Sequence, residues 1–294
     1  MSDYPCLTVI PQAQSCVAAV YGINLATPLS HAAQRDLLAA WTTHAVLYFP
    51  DQTLDPAALE RLSRYLGPFG HDPYVKPKPG YEHVIEVRRE VRETAPIFGS
   101  MWHSDWSFQA TPPSATLLYG EVVPPYGGDT VFADTSRAFA ALSPTMQKLL
   151  LPLNAVHSAA PAYGPKGLFA RDDASRSMQI VVSPAAEQTQ IHPLVRRHPL
   201  SGRATLYINH VYTLGIEGLR ADESQALLDF LFKHMTRSEF VYRHHWRAQM
   251  LVMWDNRCLL HYADGGYEGH RRLMLRTTVA GERPLAARAT ETVN

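Results

Sequence analysis

From residue 84 onward the chain is a succession of short β-branched and aromatic runs: Val84–Val87, Ser114–Val122, Thr130–Ala133, Ile180–Ser183, Thr205–Asn209, Val241–Trp246, Met250–Trp254 and Leu273–Val279. No helical segment follows most of them. A doubly wound parallel sheet needs a helix after nearly every strand, so that architecture is excluded. The expected class is mainly β with flanking helices, a sandwich or barrel that carries its helices on one side. At 294 residues, 46% apolar and 18% charged, the chain can bury such a core without disulfides or a structural metal.

The helical signals are few and local. Ser30 caps a segment to Ala40 whose Leu37, Leu38 and Trp41 are expected on one face, with a strand following at Ala45–Phe49. Asp55-Pro56 opens a second helix with Leu59, Leu62 and Leu66 as its apolar face and Gly67 as its stop. Ser143-Pro144 begins a third, and Asp222 with Gln225 forms a capping-box pattern ahead of Leu227, Leu228, Leu231 and Phe232. Pro73–Gly80, Val91–Ser100 and Ala160–Arg176 carry no periodic pattern and read as long loops. The expectation is a single domain over residues 1–294 with lid-type loops inserted near 70–100 and 160–178.

Basic and acidic side chains balance at 27 each, so the chain has no general field for polyphosphate, and nucleic acid and anionic membranes are not expected partners. The N-terminus lacks a basic, then apolar, leader, and no apolar run approaches the roughly 18 residues of a membrane span. Cys6, Cys16 and Cys258 are odd in number and far apart, which fits a reduced, cytoplasmic setting. Fourteen histidines against three cysteines is the compositional oddity. Imidazole is the commonest metal ligand.

Two constellations carry chemistry. In Trp102-His103-Ser104-Asp105-Trp106 an extended backbone puts His103 and Asp105 on one face. That pair supplies two metal ligands or, alternatively, is only a hydrogen-bonded surface pair. Downstream, Trp254-Asp255-Asn256-Arg257-Cys258-Leu259-Leu260-His261 is a β-run feeding a loop that ends in histidine, followed by Arg272 and Arg276. His261 would complete a 2-His-1-carboxylate triad, which leaves three coordination positions open, as in non-haem Fe(II) oxygenases. A 2-oxo acid can fill two of them and dioxygen (O2) the third. Its far carboxylate then wants a guanidinium. Arg272 and Arg276, four residues apart, share one face of a strand.

Nearly the whole chain, from about Ala18 to Gly281, resembles the Fe(II)/2-oxoglutarate-dependent taurine and 2,4-dichlorophenoxyacetate (TauD/TfdA) dioxygenases. The resemblance rests on Trp102-His103-Ser104-Asp105, Gly127-Gly128-Asp129-Thr130, His192-Pro193-Leu194-Val195 with His198-Pro199, and Trp254-Asp255-Asn256-Arg257 through His261 to Arg276. It implies a double-stranded β-helix (jelly roll), with His103, Asp105 and His261 binding Fe(II), and Thr130 and Arg272 holding the distal carboxylate of 2-oxoglutarate. The implied reaction hydroxylates a small anionic organic substrate, a sulfonate such as taurine or an aryloxyalkanoate, while 2-oxoglutarate becomes succinate and CO2. Asp105 in place of a small residue argues for hydroxylation over halogenation. By the same resemblance Arg276 would meet the substrate anion, and Tyr163 and Tyr212 fall where the family has pocket aromatics. His71 and Tyr74 lie near the family's His-X-His-Pro segment, which this chain matches imperfectly. The family's habits allow a homo-oligomer.

Other residues receive plainer readings. His157, His192, His198, His210, His244 and His245 are assigned no role, and Trp102, Trp106 and Trp254 are expected to pack around the ligands. Asp255 and Asn256 read as turn or supporting residues, Gly127-Gly128 as a tight turn, and Arg271 as solvated. The alternative from another class is a non-enzymatic metal-dependent binding or sensing protein on the same fold. A zinc hydrolase is a weaker competitor, since it has no use for an arginine aimed at a co-substrate.

Overall fold

The computed structural model describes residues 4–13, 15–171 and 175–288. The chain opens with β1 (Thr8–Pro11), β2 (Val17–Tyr21), α1 (His31–His44), β3 (Val46–Phe49) and α2 (Pro56–Leu66). It continues through β4 (Ile85–Arg89), β5 (Ala115–Val122), β6 (Thr130–Asp134), α3 (Thr135–Ala140), α4 (Pro144–Leu150), β7 (Asn154–Ser158) and α5 (Ala160–Tyr163). Then come β8 (Thr189–Pro193), β9 (Val195–Arg197), β10 (Ala204–Leu206), β11 (Thr213–Ile216) and α6 (Ala221–Met235). The last strands are β12 (Val241–His244), β13 (Met250–Asp255), β14 (Leu259–Ala263) and β15 (Arg272–Val279).

A seven-stranded sheet runs in the order β1-β2-β3-β13-β5-β15-β4, antiparallel except for β2 beside β3. A three-stranded sheet, β12-β6-β14, supplies the other wall of the site, and β11-β7-β8 and β10-β9 extend the structure beyond it. The architecture is β-rich with helices outside, as expected. The register follows from burial on both faces. Every residue of β15 is buried: Leu275 and Val279 pack with Leu59 and Leu62 of α2, while Met274 joins Phe132 and Trp254 on the opposite face. With Leu275 turned toward the helix layer, Arg272 and Arg276 point inward with Met274, where a guanidinium survives only if something receives it.

The helix signals hold with two corrections. Ser30, Asp55 and Ser143 each cap their helix by accepting a backbone N–H three residues on. In α1, however, Leu37 and Trp41, an i, i+4 pair, are buried whereas Leu38 is 42% exposed, because it lies about 100° round the helix from Leu37 and falls at the edge of the buried stripe. In α6 the cap is Arg220, not Asp222: the Glu223 carboxylate accepts the Arg220 N–H at 3.0 Å, so the box begins two residues earlier. Ile180–Ser183 is not a strand; Ile180 makes one bridge to Val75, and Pro184 then opens a short 3₁₀ turn. Conversely, the loop expected to end at His261 is already strand from Leu259, and Leu259–Ala263 forms β14 against β6. The 73–80 and 91–100 segments carry no helix or strand, while 160–176 contains α5 and a 3₁₀ turn at 168–170 among its described residues.

Candidate active site

His103 and His261 sit directly opposite each other in an isolated antiparallel bridge, exchanging backbone bonds of 3.0 and 2.8 Å. The bridge turns both imidazoles the same way. Asp105 follows two residues after His103, and its Oδ1 lies 3.5 Å from His103 Nε2 and 3.8 Å from His261 Nε2. All three side chains are buried, with one ligand atom from each within 4.8 Å of the others. His103 Nδ1 donates to the Met101 carbonyl at 2.7 Å, which leaves Nε2 as the lone-pair nitrogen on the cavity side.

The charge state suits a cation. Burial alone would raise the Asp105 carboxyl, but Arg276, His261 and His103 together hold it well below the usual carboxylate range. Burial, helped by His103, depresses His261 to about 3, so its ring is neutral. Asp105 Oδ2 accepts from Thr116 Oγ1 at 2.5 Å, and Thr116 in turn accepts from Asn256 Nδ2 at 2.9 Å. Oδ1 therefore faces the two imidazoles while Oδ2 is held from behind. Trp254 and Phe132 close over His261, with ring centroids 4.7 and 6.2 Å away, and dry that side. A borderline divalent cation such as Fe(II) fits this donor set of two neutral imidazoles and one carboxylate.

Thr130, Arg272 and Arg276 line the same cavity as the triad, together with Phe98, Leu118 and Trp254. Arg272 is buried, bonds the Gly128 carbonyl at 3.2 Å, has an unpartnered Nε, and meets no carboxylate within ion-pair distance among the described residues. Thr130 Oγ1 accepts from Trp246 Nε1 at 2.9 Å, which leaves its own proton to donate. Gly127 and Gly128 both take left-handed φ, +67° and +69°; a Cβ on Gly127 would lie 2.4 Å from the Gly266 carbonyl oxygen, and one on Gly128 would lie 3.2 Å from Arg272 Nε. Together they place a carbonyl against the guanidinium and start β6 beside it.

The opening next to the triad is aromatic and apolar: Phe98, Trp106, Ala162, Tyr163, Leu168, Phe169, Val211 and Tyr212 line it with His103 and Asp105. Tyr212 stands edge-on to His103 at 6.4 Å between centroids, and burial pushes both Tyr163 and Tyr212 hydroxyls well above their ordinary range. Tyr74 lies one layer back, stacked on Tyr163 at 4.7 Å. His71 is exposed and lines a separate groove with Phe69, Pro73 and Gln109. From that loop it is the neighbouring Asp72, which the sequence did not single out, that reaches Arg276, at 2.8 Å.

A second group of ligand types, His198, Asp255 and Cys258, is already satisfied. Arg257 grips Asp255 through Nε and Nη2 at 2.9 and 2.7 Å, and His198 Nε2 lies 2.9 Å from the same carboxylate. Asp255 thus braces the turn between β13 and β14, which is the supporting role expected of it. Arg271 is exposed, as expected.

The model of the family described as "Taurine catabolism dioxygenase TauD, TfdA family" matches residues 8–278. The chain belongs to the TauD/TfdA family. Curated relatives include an alpha-ketoglutarate-dependent sulfate ester dioxygenase of Pseudomonas putida, 33% identical over 282 residues, covering 95% of this chain and 91% of the relative. An alpha-ketoglutarate-dependent 2,4-dichlorophenoxyacetate dioxygenase of Cupriavidus pinatubonensis is 34% identical over 259 residues, covering 83% and 87%. Among solved structures, a taurine dioxygenase from Burkholderia xenovorans superposes with a TM-score of 0.79 at 28% identity, covering 97% of this chain and 93% of that one. AAD-2 in complex with Mn(II) and N-oxalylglycine gives 0.75 at 29%, covering 95% and 99%. As a TauD/TfdA member the chain is an Fe(II)/2-oxoglutarate-dependent dioxygenase, an oxidoreductase, rather than a non-enzymatic binding protein.

Proposed function

We propose that this dioxygenase hydroxylates a small anionic organic substrate with an apolar body, of the sulfonate, sulfate ester or aryloxyalkanoate kind its relatives are named for. The observation that carries the reading is the coexistence, in one cavity, of the buried His103–Asp105–His261 set and Arg272, a buried cation without a carboxylate partner among the described residues. Fe(II), 2-oxoglutarate and O2 supply the oxidising chemistry, with 2-oxoglutarate converted to succinate and CO2. His103, Asp105 and His261 hold the metal, and Arg272 with Thr130 receives the distal carboxylate of 2-oxoglutarate. Tyr163 and Tyr212 orient the substrate body, Tyr74 backs Tyr163, and Arg276 forms the polar wall that receives the head group. His71 lies too far round the loop to share that wall, and we assign it no contact with substrate.

The two sheets that flank the cavity are read as the layers of a double-stranded β-helix. One domain is the simplest organisation, with the 70–100 and 160–178 segments as lids, since Phe98, Tyr163, Leu168 and Phe169 at the opening come from these stretches. Three free thiols support a cytoplasmic setting, and among the described residues no helix is long and apolar enough to cross a membrane. The decisive experiment is succinate release with Fe(II), ascorbate, O2 and 2-oxoglutarate across sulfonates, sulfate esters and both enantiomers of aryloxypropionates, with His261→Ala as the blank. Stimulation by one class, absent in the blank, is the expected result. No succinate even without substrate, from protein that holds iron, overturns it.

A further inference from the structure

Arg276 lies between two carboxylates. Its Nη2 is 3.1 Å from Asp105 Oδ2, and its Nη1 donates to Asp72 Oδ1 at 2.8 Å. The two acids differ in what else they serve. Asp105 turns its other oxygen to the imidazoles, where a divalent cation would draw on its charge. Asp72 makes no contact with the triad: its Oδ1 also accepts from Trp106 Nε1, and its Oδ2 accepts from Thr278 Oγ1 at 3.1 Å. Asp72 is therefore the dedicated counter-ion of Arg276.

The surroundings are built to keep it there. Trp106 has a left-handed backbone, φ +46°, which a bulky residue adopts only when its neighbours enforce it. That conformation, directly after Asp105, lays the indole 5.2 Å from the Arg276 guanidinium carbon and aims its N–H at Asp72. Gly70, two residues before Asp72, lets the loop press on β15: a Cβ there would lie 2.5 Å from Thr278 Oγ1. Meanwhile Arg276 Nη2 is buried and, beyond its ion pair with Asp105, finds no hydrogen-bond partner among the described residues, and Arg276 lines the cavity of the triad.

We propose that Asp72 is a specificity-determining residue, a built-in competitor for the anionic head group at Arg276. The proposal rests on the substrate reading above and deepens it. An anion that arrives at Nη2 meets a guanidinium whose charge Asp72 already compensates, so this chain holds strongly anionic head groups weakly and depends on its aromatic pocket for the remaining affinity. Asp72 touches no reacting group in this reading; it sets how much positive charge Arg276 presents.

The test is calorimetric binding, free of turnover. Protein loaded with Mn(II) and N-oxalylglycine is titrated with benzenesulfonate and with benzenesulfonamide, its uncharged counterpart. Asp72→Asn, which keeps an acceptor for Trp106, and Asp72→Ala should both bind benzenesulfonate about tenfold or more tightly than the native protein, as removal of a competing charge requires. Benzenesulfonamide affinity should stay within about threefold, because an uncharged head group feels no charge competition. Unchanged or weaker benzenesulfonate binding in both variants would overturn the proposal, since a residue that merely positions Arg276 loses affinity when removed. An equal gain for the sulfonamide would overturn it as well. If the native protein takes up neither Mn(II) nor N-oxalylglycine, it is the dioxygenase reading that fails, and the same titrations on unloaded protein still decide the role of Asp72.

Discussion

A guanidinium that is 4% exposed, bonded to one carbonyl, flanked by the Trp246 and Tyr267 rings and unpaired with any described carboxylate, as Arg272 is, carries a desolvation cost of several kcal/mol that these contacts offset only in part. A ligand carboxylate relieves that cost on binding. Arg272→Ala should therefore raise the KM for 2-oxoglutarate by about 10–100-fold, the loss expected of a buried charge-assisted contact, with Mn(II) affinity little changed. A 2-oxoglutarate titration of succinate formation checks the first and calorimetry the second. Thr130→Val removes one neutral donor and should cost about tenfold or less on the same titration. At this scale the period of two made His103 and Asp105 legible as a pair, and the four-residue spacing did the same for Arg272 and Arg276. Asp72 left no such trace: its partner is 204 residues away in the chain, and neither hydropathy nor spacing reports a contact made when a loop folds against a distant strand.

Elements show the same division. Capping chemistry is local, so Ser30, Asp55 and Ser143 announced their helices. The short strands β7, β8 and β11 did not announce themselves, because Asn154–Ser158 and Thr189–Pro193 mix polar residues and proline, and their pairing is set by neighbours rather than by propensity. β14 was hidden for a similar reason: only opposite β6 does Leu259–Ala263 become a strand. Two predictions belong here. Gly127→Ala forces a left-handed alanine against the Gly266 carbonyl, so the turn that carries Thr130 must shift, and the 2-oxoglutarate KM should rise by about tenfold or more with the fold retained by circular dichroism. The buried Ser63–Thr277 hydroxyl pair, 2.7 Å apart, ties α2 to β15 behind the arginines. Ser63→Ala leaves Thr277 without that partner and should cost about 1–2 kcal/mol in urea unfolding, with little effect on KM.

For the whole molecule, buried histidines set the acid limit. Burial depresses His157 and His244 to about 3, below the unfolded value of about 6.5. Between those values the unfolded chain binds protons that the folded one does not, so stability is greatest above about pH 6.5 and falls as pH drops toward 3. His244 packs between Tyr48 and Trp246, with Met250 Sδ 3.1 Å from its Nε2. His244→Phe should therefore remove about 2 kcal/mol of the stability lost between pH 7 and pH 5, measured by urea unfolding of metal-free protein. An equal loss in variant and native protein would contradict the assignment. The bridge between His103 and His261 has a further consequence. Two backbone bonds join His103 to His261, and one from Ala263 to the Gly99 carbonyl flanks them, so a local opening of this short contact is expected to expose both amide protons and to let a metal escape. Hydrogen–deuterium exchange at residues 103 and 261 thus acts as a clock for the residence time of the metal, slow when the site is filled and fast when it is stripped.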